Sequence, residues 1–264
     1  MPVLSDTLAH YDHERGAPVN DEQLLRYSRQ IMLPEIDAEG QLRLAQATVL
    51  MIGAGGLGSA ASIYLAAGGV GHIILVDFDR VDLSNLQRQI LYKDADIGRL
   101  KVESGADHLR ALNPDVKLTL IERALTQDEL MTHAKQVDII IDGSDNFATR
   151  FAVNRASVAT GTPLVSAAAI RFEAQISVFN PQDETSPCYR CLYKEDAEVE
   201  ATCTANGVLA PLLGIAGSIQ ATEAMKLIMG LGNTLQGRLL LIDVMAMEWH
   251  SAILPKDPDC PVCG

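Results

Sequence analysis

Thr48-Val49-Leu50-Met51-Ile52-Gly53-Ala54-Gly55-Gly56-Leu57-Gly58-Ser59 joins a β-rich apolar run to a cluster of glycines and continues into Ala60–Ala67, which reads as helix. A strand feeding a glycine turn and then a helix leaves backbone N–H groups unpaired at the helix start, with the positive end of the helix dipole behind them. Side chains at the turn would keep a phosphate away from the main chain, and the turn itself demands backbone angles that favour glycine. Downstream, Ile73-Ile74-Leu75-Val76 forms a second apolar run closed by Asp77, 19 residues after Gly58. In a Rossmann-like unit that is where the second strand presents a carboxylate to a ribose hydroxyl. The stretch therefore predicts a nucleotide site without saying which nucleotide.

Composition narrows the classes. The chain has 264 residues, 48% hydrophobic and 21% charged, ample for the core of one large domain. A net charge of −13 argues against non-specific nucleic-acid or anionic-membrane partners. The apolar helix Val208 to Leu231 is interrupted by Gln220, Glu223 and Lys226, so no membrane span is expected. Residues 1–20 are polar, carry Pro2, Gly16 and Pro18, and lack the apolar core of a signal peptide. They read as a flexible arm before a single domain over 21–264, and the expected location is cytoplasmic.

In chain order, 21–30 reads as a short helix whose Arg26 and Arg29, three residues apart, share a face that taken alone is merely solvated. A helical turn is expected over 41–45. The polar segment 78–89 is a loop where a phosphate tail should lie. Lys101–Leu112 reads as helix, Lys117–Ile121 as strand, and Thr126 with Glu129 has capping-box form. The nearly continuous apolar run Val137–Asp142 suits a parallel strand covered on both faces and ends in Gly143-Ser144-Asp145-Asn146. A helix over 146–159 and a strand over 163–166 follow. Beyond 171 the alternation loosens: strand 175–179, a loop of roughly 20 residues over 187–206, a long helix to Gly230, and strands 238–243 and 247–252. The predicted class is α/β, a doubly wound and mostly parallel sheet with a C-terminal antiparallel extension.

Three groups carry chemistry. Cys188-Tyr189-Arg190-Cys191 and Cys260-Pro261-Val262-Cys263 are two Cys-x-x-Cys knuckles with 68 residues between them. Four thiolates so spaced suit a closed tetrahedral zinc that staples and does not catalyse. Cys203 is the odd thiol, in the long loop, and is either incidental or a nucleophile. Asn85, Arg88, Lys101 and Asp145 come from three strand-end segments that a doubly wound sheet gathers at one edge. Two cations and an amide suit a polyphosphate, and a carboxylate suits a magnesium ion shared with it. The chain has no P-loop motif.

Taken together, Arg26-Tyr27-Ser28-Arg29-Gln30, the glycine run, Asp77-Phe78-Asp79, Asn85-Leu86-Gln87-Arg88-Gln89, Lys101-Val102-Glu103-Ser104, Asp142-Gly143-Ser144-Asp145-Asn146 and the two cysteine pairs resemble, in order, the MoeB/ThiF/HesA family of ubiquitin-activating-enzyme relatives. The resemblance covers about residues 21 to 264. It implies ATP-dependent adenylation of the C-terminal glycine of a small ubiquitin-like sulfur carrier, that of molybdopterin synthase first and that of the thiamine pathway next. It also implies that Gly53, Gly55, Gly56 and Gly58 form the nucleotide loop and that Asp77 holds the ribose. Asn85, Arg88 and Lys101 hold the triphosphate with Gln89 beside them, and Asp145 binds magnesium. Arg29 reaches the ATP of a second subunit, so a homodimer is expected. Cys203 stands where some members bond to the carrier. Sulfur is expected from another protein, such as a cysteine desulfurase or rhodanese. A nicotinamide-dependent oxidoreductase shares the glycine loop, but is disfavoured by the arginine-and-amide tail site and by the lack of an evident His or Tyr proton donor.

Overall fold

The computed structural model describes residues 20–195 and 207–264. Five strands form the parallel part of one sheet: β1 (Thr48–Ile52), β2 (His72–Val76), β3 (Lys117–Ile121), β4 (Ile139–Asp142) and β5 (Leu164–Ile170). Three more are antiparallel: β6 (Glu173–Phe179), β7 (Arg238–Asp243) and β8 (Glu248–Ile253). The spatial order is β3-β2-β1-β4-β5-β6-β7-β8. The chain walks outward from β1 to β3, then returns to lay β4 on the other side of β1. That reversal opens a crevice at the carboxyl ends of β1 and β4, where open α/β sheets bind ligands.

Both faces of β1, β2 and β4 are covered, which is why they read as nearly unbroken apolar runs, whereas the edge strand β3 is only partly buried. Val49 and Met51 of β1 pack with α3 (Asp37–Gln46), α4 (Gly56–Ala67), α5 (Lys101–Leu112) and α9 (Ala210–Met229), through Leu44, Leu65, Leu109 and Leu212. Leu50 and Ile52 point the other way, onto α6 (Gln127–Ala134) and α7 (Phe147–Thr160), through Leu130, Phe151 and Val153. Among the described residues no helix is long and apolar enough to cross a membrane.

Four expectations need correction. The helix read over 21–30 is two pieces, α1 (Asp21–Arg26) and α2 (Ser28–Ile31). Tyr27 interrupts them because its ring is buried against the Gly69 backbone and its hydroxyl accepts from Asn113 Nδ2 at 2.8 Å. Arg26 and Arg29 consequently do not share one helix face, and Arg26 donates to the Leu112 carbonyl at the end of α5. The turn expected over 41–45 is the ten-residue α3. The strand expected to stop at Ser166 runs on to Ile170, because β6 folds back and pairs with it along its whole length. The stretch 187–206 is not simply a loop: Cys188 begins a single helical turn, α8 (Tyr189–Leu192), and 196–206 lie outside the described residues.

Candidate active site

The glycine turn is held by its own backbone and by one carboxylate. Gly53 has φ 87°, a left-handed value that disfavours any side chain, and a Cβ there would crowd the Gly143 carbonyl. A Cβ on Gly58 would overlap the Gly53 carbonyl, so this glycine seats α4 against the turn. Asp77 accepts from the Ala54 N–H at 2.7 Å with one oxygen and from the Asp79 N–H at 2.8 Å with the other. Tyr92 donates its hydroxyl to the Ala54 carbonyl at 2.8 Å. Burial raises the Asp77 carboxyl above its usual range, against the lowering pull of Lys101 and those two amides.

A cavity of about 580 Å³ opens beside this turn, a size suited to a small-molecule ligand. Gly53, Gly55, Gly56, Asp77, Arg88, Gln89, Lys101 and Asp145 all line it, although they come from five separate stretches of the chain. Gly58 does not; its place is behind the turn. Asn85 is also outside the lining, with its amide 3.4 Å from Ser84 Oγ. Arg29 lies on α2, away from this cavity. Cys203 falls outside the described residues.

The lining cations are pre-placed. Lys101 is buried at the first position of α5 and its ammonium donates to Asp79 Oδ2 at 2.8 Å. Arg88 donates to the Ser84 carbonyl at 2.9 Å, within its own turn. Gln89 is 4% exposed and its Oε1 has no hydrogen-bond partner among the described residues, although the side chain faces the cavity. An orphaned buried acceptor at a cavity wall is a group waiting for a donor. Asp145 stays exposed at the cavity rim, accepting a long 3.4 Å bond from Asn146 Nδ2.

Four residues to which the sequence alone assigned no part in the site build the frame. Asp79 neutralises Lys101, and its spacing of two from Asp77 was the available signal. Asp142, fully buried at the end of β4, accepts from the Ser144 N–H at 3.0 Å, Ser144 Oγ at 2.6 Å and Ser166 Oγ at 3.2 Å. Burial raises its carboxyl, opposed chiefly by Arg150. Arg150, on α7, donates to the Ser144 carbonyl at 2.9 Å, and Gln220 of α9 donates to the Asp142 carbonyl at 2.8 Å. These bonds set the Gly143–Asn146 turn, and only tertiary contact reveals them.

The four cysteines meet beside the middle of α7, where Asn154 touches Cys188. Their sulfurs all lie within 4.8 Å of one another, with Cys188–Cys260 at 3.7 Å and Cys191–Cys263 at 3.5 Å. Tetrahedral ligation with metal–sulfur bonds of about 2.3 Å separates sulfurs by roughly 3.8 Å, so the set fits a zinc-like ion. Burial pushes the Cys188 thiol up to about 11; a bound cation is what would hold such crowded sulfurs as thiolates.

The chain is similar to known proteins. The molybdopterin-synthase adenylyltransferase of Escherichia coli is 46% identical over 248 residues, 94% of this chain and 99% of that protein. The sulfur carrier protein ThiS adenylyltransferase of the same organism is 44% identical over 246 residues, 93% of this chain and 97% of that one. A crystal structure of Escherichia coli MccB with ATP has a TM-score of 0.80 at 26% identity, covering 94% of this chain and 76% of that one. The pattern of the ThiF family matches residues 27–262, and the chain belongs to that family.

Proposed function

We infer that this chain is an adenylyltransferase that activates the C-terminal carboxylate of a ubiquitin-like sulfur carrier with ATP. The observation that carries the reading is the convergence of Gly55, Gly56, Arg88, Gln89, Lys101 and Asp145 on one cavity at the carboxyl ends of β1 and β4, in a chain so similar to two sulfur-carrier adenylyltransferases. The carrier's terminal carboxylate attacks the α-phosphorus of ATP. A phosphorus–oxygen bond forms, the bond to the β-phosphate oxygen breaks, and pyrophosphate leaves with its electron pair. A C-terminal carboxyl is ionised at pH 7, so the attack needs no general base. What remains is alignment and neutralisation of charge.

The turn amides and the start of α4 receive the phosphates, while Lys101 and Arg88 offset the negative charge on the leaving group. Asp77 braces the turn and offers its remaining lone pairs to the ribose, with Asn85 reaching the phosphate tail from just outside the cavity. Asp145 is the residue to hold a magnesium ion, which supplies further charge neutralisation on the phosphates. The four-cysteine cluster holds zinc in a structural role, residues 21–264 act as one unit, and Arg29 completes the cavity of a second copy in a homodimer. Cys203 is a position for covalent exchange with the carrier, and a separate protein of cysteine-desulfurase or rhodanese type donates the sulfur.

Two relatives of nearly equal identity are named for different targets, molybdopterin synthase and the sulfur carrier ThiS. ATP–pyrophosphate exchange with the molybdopterin-pathway and thiamine-pathway carriers side by side assigns this one. Exchange with the molybdopterin-pathway carrier alone is expected; exchange with neither overturns the reading.

A further inference from the structure

Helix α7 begins at the nucleotide cavity, and near its middle one side chain touches the cysteine cluster directly. Asn154 is 1% exposed. Its Oδ1 accepts from the Tyr189 N–H at 2.8 Å and its Nδ2 donates to Cys188 Sγ at 3.6 Å. The amide can be oriented only one way. The Tyr189 N–H is a donor, so the carbonyl oxygen must face it, which turns the NH₂ group onto the sulfur. Among the described residues Asn154 is the one side chain from outside the cluster that donates to its sulfurs. The other donors are backbone, with the Cys188 and Asp257 N–H groups each 3.5 Å from Cys191 Sγ.

The contact is built into the packing. Asn146, Arg150 and Asn154 recur every fourth residue and so follow one face of α7. Asn146 caps the helix by accepting from the Thr149 N–H at 2.9 Å, and Arg150 grips the Ser144 carbonyl at the cavity. Beside this stripe, Phe147 and Phe151 meet Tyr193 and Tyr189 edge-on at 5.6 and 5.4 Å. The segment bearing Cys188 is thus clamped to the same helix that begins at the Asp145 turn.

We propose that Asn154 is a positioning residue for the metal centre, orienting the Cys188 thiolate and moderating its charge by an N–H···S bond while holding α8 on α7. It rests on the reading of the cluster as a metal site. Partners of metal ligands of this kind set ligand direction and basicity, and losing one costs roughly 10- to 100-fold in metal affinity.

Cobalt(II) loaded into the full-length protein tests it, because thiolate-to-cobalt charge-transfer bands report on the sulfur. Asn154→Asp keeps the acceptor for Tyr189 and removes the donor to sulfur; Asn154→Leu removes both. Without the N–H donor the thiolate becomes more electron-rich, so the band should move to lower energy in both variants. Metal release to a chromophoric chelator should quicken about 10-fold or more. A merely structural asparagine would leave the band in place. Unchanged bands and release rates in whichever variants fold overturn the proposal. If the unaltered protein gives no cobalt–thiolate spectrum at all, the metal reading itself falls, and this proposal with it.

Discussion

Two glycines of the same turn serve different purposes. Gly55 has φ −73°, an angle open to any residue, and a Cβ there would meet only Gln89 Nε2, at 3.8 Å. Its openness is toward the cavity. Gly58 faces inward, where a Cβ would overlap the Gly53 carbonyl. Gly55→Ala should therefore unfold within about 0.5 kcal/mol of the parent while losing most of its ATP affinity, since the methyl occupies the phosphate approach. Gly58→Ala should lose stability by about 1–3 kcal/mol, the usual cost of forcing extra volume into a packed site. Urea unfolding and ATP titration on both proteins separate the two roles; equal stability losses would show that the distinction is wrong.

At the scale of elements, α6 shows how a local motif carries its own pH dependence. Thr126 Oγ1 accepts from the Glu129 N–H, and the Glu129 carboxylate returns a bond from the Thr126 N–H at 2.9 Å. Glu129 also takes both terminal nitrogens of Arg123, at 2.7 and 2.6 Å. The Arg123 bonds first, then the Thr126 bonds, draw its pKa from an ordinary 4.5 down to about 2. A carboxylate whose folded pKa is depressed stabilises the fold fully above its unfolded value and loses that contribution as pH falls through the folded one. Glu129→Gln should accordingly be less stable than the parent at pH 7, and the gap should close between about pH 4.5 and about 2. Thr126→Ala should cost about 1 kcal/mol, as N-caps do. Thermal unfolding across pH checks both, and a pH-independent gap for Glu129→Gln would contradict the first.

At the scale of the molecule, the placement of Arg29 makes a sharper test. It sits on α2, outside the cavity of its own chain, while Tyr27 and the Gln30 bond to the Gly68 carbonyl at 3.1 Å fasten that segment to the end of α4. If two copies share sites, Arg29→Ala and Asp145→Ala are each inactive alone. Mixing them after subunit exchange restores activity, because one site of each mixed dimer is intact. Random pairing of two subunits in a C2 dimer puts that recovery at roughly a quarter of the parent exchange rate. No recovery, with mixed dimers verified by mass, would show that Arg29 does not act across the subunit boundary.

Local chemistry alone decided much of this protein. The glycine turn between β1 and α4, the carboxylate closing β2, the bounds of α5 and β3, the capping box of α6 and the spacing within each Cys-x-x-Cys knuckle all rest on neighbours within a few residues, and such short-range rules are legible in order along the chain. Where side chains from distant segments meet was not. Tyr27 breaks a helix because a glycine 42 positions away leaves room for its ring. Lys101 turned out to be half of an ion pair with Asp79, Gly58 a packing residue, and Asp142, Arg150 and Gln220 the struts of a turn whose sequence shows only its surface. Each depends on contacts that close only when the strands take the order β3-β2-β1-β4-β5, and no periodicity encodes a partner one crossover away.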